Sequence, residues 1–474
     1  MFAELHCLSH FSFLRGASSP PQLIEQAHAL GYRAIAITDE CSFSGVVKAH
    51  VTAKALDMPL IIGSEFYVDD GLNQKSCHLI LLASCRQAYS EISLLISKAR
   101  RRSAKGEYQL SLADLQFGTR HCLAIFRPSH SNISNQHQAI LLKRFFKQRL
   151  WLGVSLTQQF MEDQYYQQSY DLAKQHDISM VACNQVLMHN RDQQPLQDCL
   201  TAIKQNCAVT ELGDQRQNNS EQYLRPLNRL EKIYPPELLL ESLQIAQLCQ
   251  FSLDELKHDY PEELVPKSFT AAQHLKELSF QGAHKRWPMG IPKGIERQLL
   301  NELKTISEPH YEQYFLTVED IVRFARRENI LCQGRGSAAN SVVCYCLFIT
   351  EVDPQQSSLL FERFISKERQ EPPDIDVDFE HQRREEVIQY IYQKYSRKRT
   401  ALTATIITYR PRSAVRDLGK ALGFDTSVIE RLTKDLTWWD KPQNLQTRLQ
   451  ENGVMLDSHM TQHFLNFLEK ILGT

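Results

Sequence analysis

The sequence predicts an α/β fold that begins with a strand-and-helix barrel and continues into mainly helical chain, and three observations carry that expectation. Seven short apolar runs recur through the first part of the chain, each followed by a helix-like stretch. The helix between the first two runs carries both of its boundary signals. After Asn206 the pattern turns polar and helix-rich, with TELGDQRQNNSEQYL as its first stretch. Strand alternating with helix implies a mainly parallel sheet, and seven repeats suit a closed barrel better than a short open sheet. A barrel of this kind puts its chemistry at the C-terminal ends of its strands.

The seven runs are residues 3–7, 33–38, 59–63, 78–83, 121–126, 151–156 and 178–183. The connecting helix PPQLIEQAHAL has Ser19 placed to cap it, proline at the first helical position and Gly31 just past its end. The proline-marked PEELVPKSF closes a helical linker, and long helical patterns such as EDIVRFARRENI come after it. The expected organisation is 1–205 barrel, 206–270 linker, 271–408 a second domain, and 409–474 a basic helical segment.

With 42% hydrophobic and 23% charged residues over 474 positions, the chain reads as globular with more than one core. The net charge of -1 does not discriminate, because a basic groove is easily balanced by acidic surface elsewhere. Locally, ten Lys or Arg against three acids between His381 and Lys420 mark a candidate phosphate-facing surface. Twelve cysteines without a C-x-x-C pair read as reduced, mostly buried thiols. The N-terminus has no basic and apolar leader pattern and no window has 18 uninterrupted apolar residues, so a soluble cytoplasmic protein is expected.

The densest chemistry lies between residues 332 and 420. EPPDIDVDFE spaces Asp374, Asp376 and Asp378 at alternate positions, which on a strand puts three carboxylates on one face. Such a face is unfavourable without cations, and hard oxygen ligands suit magnesium. Two such ions about 4 Å apart would serve an in-line phosphoryl displacement. A solvated edge strand is the alternative. Upstream, the glycine-rich turn of Gly334, Arg335, Gly336 and Ser337 runs into an apolar helix, a candidate cradle for a triphosphate, or a turn needed only for close packing. It is not a Walker P-loop. LLFERFISKERQ offers Arg363, Lys367 and Arg369 to phosphates, or to Glu362 and Glu368 on a solvated helix. TYRPRSAVRDLGKALG mixes Arg410, Arg412, Arg416 and Lys420 with Tyr409, a composition suited to a nucleic-acid backbone or to a charged helix face.

QGRGSAANS, LLFERF, PPDIDVDFEHQRREEVIQYIY and RPRSAVRDLGKALG together resemble the palm and following segment of bacterial C-family DNA polymerases, the polymerase III alpha subunits, in their error-prone, DNA-damage-response branch. The resemblance extends through YFLTVEDIVRFAR to the N-terminal ELHCLSHFSFLRGAS. It implies a nucleotidyltransferase-like palm with the start of a thumb, and error-prone template-directed synthesis in translesion repair. It matches Asp376 and Asp378 to the first two metal-binding aspartates, and Gly336 and Ser337 to the nucleotide motif. The implied cofactor is Mg2+ in a two-metal site. The implied partners are primer-template DNA, deoxynucleoside triphosphates, a sliding clamp and mutagenesis accessory proteins, without a membrane. A third catalytic aspartate is expected on the order of 150 residues after the first pair. These 474 residues alone are therefore expected not to extend a primer.

The N-terminal part resembles the polymerase and histidinol phosphatase (PHP) domain, a (β/α)7 barrel whose active members hold a metal cluster. His6, Asp39, Glu65 and His78 stand at matching positions. The chain departs where H-x-H becomes His6, Cys7, Leu8, where T-D-H becomes Thr38, Asp39, Glu40, and where D-x-H becomes Gln185, Val186, Leu187. Leucine cannot coordinate a metal and Gln185 replaces a carboxylate poorly, while Glu40 retains a ligand oxygen. The barrel is therefore expected to serve as a scaffold without metal, and His189 to face solvent or a polar partner. Two other classes of function stay open at this point: a noncatalytic DNA-binding or assembly protein derived from the polymerase, and a PHP-type metal-dependent phosphoesterase.

Overall fold

Strands form at all seven apolar runs: β1 (Ala3–Glu4), β2 (Ala34–Ile37), β3 (Leu60–Val68), β4 (Cys77–Leu82), β5 (Leu123–Arg127), β6 (Leu150–Val154) and β7 (Ser179–Ala182). The computed structural model describes the whole chain apart from residues 72–76, 130–131, 257–259, 262–263, 337–340, 354–373, 404, 436–458 and 474. The seven strands make one sheet in sequence order. Pairings β1–β2, β2–β3, β5–β6 and β6–β7 are parallel, while β4 is antiparallel to both neighbours. The reversal at β4 has a simple cause. Only residues 69–76 separate β3 from β4, too few for the dozen or more that a parallel crossover requires.

The sheet curls until its edges meet at a parallel bridge between Cys7 and Val186. Leu8 N donates to Val186 O at 2.9 Å, and Val186 N to His6 O at 2.9 Å. Side chains on the two sheet faces enter different clusters. Leu5, Ala36, Ile61, Ile80, Ile125, Trp151 and Val181 fill one, whereas Ile35, Ile62, Leu79, Leu81, Phe126 and Leu152 pack with the flanking helices. Burial on both faces explains why the strands read as unbroken apolar runs. The helix Pro20–Ala29 begins as its signals require, with Ser19 and Gln22 forming a capping box, and Gly31 lies just beyond it at φ +73°.

The chain divides into two compact units, residues 1–256 with 406–474, and residues 257–405. In the first, the helix Pro236–Leu248, which lies in the stretch read from sequence as a linker, packs on β7 and β1. Trp151 Nε1 donates to Glu241 Oε1 at 2.6 Å, and Ala3 N to Ser242 Oγ at 3.1 Å. The helices Pro411–Ala421 and His459–Ile471 share a core with Leu196 and Leu200 of the helix Gln194–Gln205. In the second unit, the helices Ala271–Arg286, Lys293–Ser307 and Glu312–Arg327 share a core with one face of a two-stranded ladder of β8 (Cys332–Gly336) and β9 (Ile375–Phe379). All twelve cysteines are free, and among the described residues no helix is long and apolar enough to cross a membrane.

Candidate active site

Strand β9 realises the alternation of its sequence. Ile375 and Val377 pack on the core of the second unit, while Asp374, Asp376 and Asp378 lie exposed, at the alternate positions. Antiparallel pairing sets Gln333 opposite Asp378, Arg335 opposite Asp376 and Gly336 opposite Ile375. The acidic strand and the glycine-rich segment, about 40 residues apart in sequence, are therefore hydrogen-bonded neighbours. Arg335 Nε lies 3.0 Å from Asp378 Oδ2. A guanidinium so placed offsets repulsion among the three carboxylates.

The turn expected over residues 334–337 is strand as far as Gly336. Gly334 N donates to Ile349 O at 2.7 Å, and a Cβ at Gly334 would stand 2.7 Å from that same oxygen, so glycine is required here for close backbone approach. Gly336 alone of the two has positive φ, +64°. Ser337, Arg363, Lys367 and Arg369 lie outside the described residues.

The helix after the turn does not offer its N-terminus to a ligand as the sequence suggested. It is short, Val342–Cys346, with Ser341 Oγ accepting from Cys344 N at 3.0 Å. The amides of Val342 and Val343 donate to the Glu302 carboxylate at 3.1 and 3.0 Å, and Ser341 Oγ donates to it at 2.9 Å. Burial pushes the Glu302 pKa up, opposed by these hydrogen bonds. Glu302 stands among Leu299, Leu303 and Ile306 on the buried side of its helix, so an acid inside an apolar stripe was the available signal for it.

A second buried carboxylate anchors the helix Arg384–Arg399, which lies beyond β9. Asp320 accepts from Lys394 Nζ at 2.5 Å, Tyr395 OH at 2.6 Å and Tyr390 OH at 2.9 Å. Burial opposes its ionisation, but Lys394 and the tyrosines hold its pKa below the usual carboxylate range. Lys394, one of the ten cations of the basic stretch, is thus paired with a carboxylate of its own unit. Arg410, Arg412, Arg416 and Lys420 are all exposed, and the last three recur every four residues along the helix Pro411–Ala421. Tyr409 is not on that surface. It is buried, its OH donating to Asp417 Oδ2 at 3.0 Å and its ring stacked on Phe13.

In the barrel, His6, Glu65 and His78 come together with ligand atoms within 4.8 Å of one another. His6 Nε2 lies 2.6 Å and His78 Nε2 3.0 Å from Glu65 Oε2. Burial lowers His6 to about 3 and lowers His78 as well, so both rings are neutral at neutral pH and donate to the carboxylate. Burial opposes ionisation of Glu65, yet Arg15, then His78 and His6, hold its pKa well below the carboxylate range. Arg15 Nη1 contacts Glu65 Oε1 and lies 2.5 Å from Glu40 Oε2. Arg15 carried no signal in the sequence beyond its position in FLRGAS. Asp39 accepts instead from Ser9 N, Ser9 Oγ and Ser12 Oγ at 2.7–2.8 Å. Leu8 and Leu187 are buried, and Ser18 Oγ pairs with His189 Nδ1 at 2.8 Å, the polar partner expected for that imidazole.

Residues 4–120 match the PHP domain family, and residues 273–474 match the bacterial DNA polymerase III alpha NTPase domain. The chain is 52% identical over 472 residues to an error-prone DNA polymerase of Teredinibacter turnerae, covering 100% of this chain and 45% of that protein. It is 51% identical over 473 residues to one of Saccharophagus degradans, of which it covers 46%. The chain thus spans just under half the length of these relatives. An amidohydrolase structure from Chromobacterium violaceum aligns with a TM-score of 0.30 and 15% identity, covering 39% of this chain and 87% of that one. Two family matches in succession, and identity near one half along the whole chain, make the chain similar to error-prone DNA polymerases and, over residues 273–474, to the bacterial DNA polymerase III alpha NTPase domain.

Proposed function

We propose that the chain supplies the barrel and part of the palm of an error-prone, DNA-directed DNA polymerase that copies damaged templates in the cytoplasm. The observation that carries this reading is the ladder in which β9, with Asp376 and Asp378 on its exposed face, pairs with the glycine-rich strand β8. Asp376 and Asp378 offer exposed, oxygen-only donors, which fit a hard divalent cation. Magnesium bound there supplies activation of the primer 3′-hydroxyl and charge stabilisation of the departing pyrophosphate. Arg335 and the backbone at Gly336 orient the triphosphate beside these acids, with Ser337, Arg363 and Lys367 assigned to the same substrate by the family resemblance. Arg410, Arg412, Arg416 and Lys420 bind the phosphate backbone of primer-template DNA. A sliding clamp and mutagenesis accessory proteins are the partners that the family suggests.

The phosphoesterase alternative is weaker because the barrel cluster already holds a guanidinium on its central carboxylate. Primer extension by the whole polymerase tests the reading: Asp376→Asn is expected to lower synthesis about a thousandfold while DNA binding persists. Undiminished synthesis by that variant would refute it.

A further inference from the structure

We propose that the Arg15 guanidinium is the resident cation of the barrel mouth, keeping the His6, Glu65 and His78 cluster closed without metal, and that its loss opens a site for a zinc-class divalent ion. Glu65 is fully buried, and a buried carboxylate requires a compensating charge and hydrogen bonds. Its oxygens divide the work. Oε2 takes the two imidazoles, and Oε1 takes Arg15.

The cluster as it stands does not fit a metal, for a geometric and an electrostatic reason. With metal bonds of about 2.0–2.1 Å in tetrahedral geometry, ligand atoms stand roughly 3.3 Å apart. Here the imidazole nitrogens are 2.6 and 3.0 Å from the carboxylate oxygen, the spacing of direct hydrogen bonds. Arg15 adds a permanent positive charge at contact with the ligand that a cation would need. Lack of access is not the obstacle, since a cavity of about 380 Å³ borders His78 and Tyr67.

Arg15 is also held in place. Glu40 binds the guanidinium and is itself fixed by the Tyr108 hydroxyl at 2.9 Å, and the Tyr67 ring lies 5.7 Å from the guanidinium carbon. The loop that delivers Arg15 is tied by Asp39, which commits both oxygens to Ser9 and Ser12. A ligand position of the PHP resemblance is thereby used to hold the replacement cation. Removing the guanidinium leaves two imidazoles and one carboxylate able to relax apart, a three-ligand set that zinc accepts with water as the fourth.

The test uses the full chain as wild type, Arg15→Ala, Arg15→Lys, and Arg15→Ala combined with His6→Ala and His78→Ala. Zinc content after dialysis and the thermal midpoint with and without added zinc chloride are the readouts. The wild type and Arg15→Lys are expected to show no stoichiometric zinc and no zinc-dependent midpoint. Arg15→Ala is expected to melt lower without metal, to take up close to one zinc, and to rise by about 5 °C when zinc is added. The triple variant should lose that response. If Arg15→Ala does not fold alone, refolding in the presence of zinc is expected to rescue it. One zinc per wild-type chain with a raised midpoint would overturn the proposal. So would a folded Arg15→Ala that takes up no more zinc than wild type, equal uptake by the triple variant, or failure of zinc to rescue an unfolded Arg15→Ala.

Discussion

Arg335 sits opposite Asp376 in the β8–β9 ladder, yet its guanidinium reaches the diagonal neighbour, with Nε 3.0 Å from Asp378 Oδ2. The pair is exposed on both sides and so contributes little to stability, which leaves both groups available to a substrate. In the whole polymerase, Asp376→Asn and Asp378→Asn are each expected to lower primer extension about a thousandfold, the scale of a lost transition-state charge contact. Asp374→Asn, on the same face, should cost less than about tenfold. Single-turnover rates check this, and equal losses at all three positions would show that the metal pair is misassigned.

The two glycines of β8 should respond differently to alanine. At Gly334 the added Cβ meets Ile349 O at 2.7 Å, an overpacking that costs about 1–3 kcal/mol. At Gly336 the nearest atom is Asp376 Oδ2 at 3.7 Å, so the cost is the positive φ alone, about 1 kcal/mol. Urea denaturation of the two variants measures the difference.

Glu302→Ala strands the amides of Val342 and Val343 and the Ser341 hydroxyl without their acceptor. A loss of about 3 kcal/mol is expected, and Glu302→Gln, which keeps one acceptor oxygen, should lose less. Hydrogen exchange at Val342 and Val343 is expected to accelerate in the alanine variant. Unchanged protection there would mean that Glu302 does not hold this segment.

Arg412, Arg416 and Lys420 form an exposed stripe above the buried Pro411, Ala414, Val415 and Leu418. Replacing all three by alanine should leave the melting temperature nearly unchanged and reduce the salt dependence of DNA binding, by a slope of roughly 2–3 if each meets one phosphate. Tyr409→Phe should do the reverse, removing about 1 kcal/mol of stability with its bond to Asp417 while sparing DNA affinity. Fluorescence anisotropy across a salt series separates the two.

Burial, reinforced by Lys48, pushes the His10 imidazole down from its ordinary 6.5 to about 4. Between these values the unfolded chain holds a proton at this residue that the folded chain does not, so stability is fully present above pH 6.5 and falls as the pH drops through 4. Equilibrium unfolding from pH 4 to 7 should show a shallower acid loss in His10→Asn than in wild type. Parallel curves would exclude His10 as a source of acid sensitivity.

The strands, the Ser19 cap and the shared face of Asp376 and Asp378 were legible because each is written in the spacing of adjacent residues. Local spacing was less informative about Gly334, where the reason for glycine is Ile349 O, fifteen positions further on. The reversal of β4 was in principle legible from its short connection, but the strand-and-helix rhythm outweighed that signal.

From the sequence alone came the α/β alternation, the acidic strand and the basic stripe, all matters of residue type and period, while the altered PHP ligand positions came from the family resemblance. Tertiary structure decided which charges meet: Arg15 with Glu65 across 50 residues, Lys394 with Asp320 across 74, and Glu302 with the amides of Val342 and Val343 across 40 and 41. No local period encodes such pairings. A buried charge is stable only beside the partner that the packed fold delivers, and that partner is fixed when the chain closes on itself.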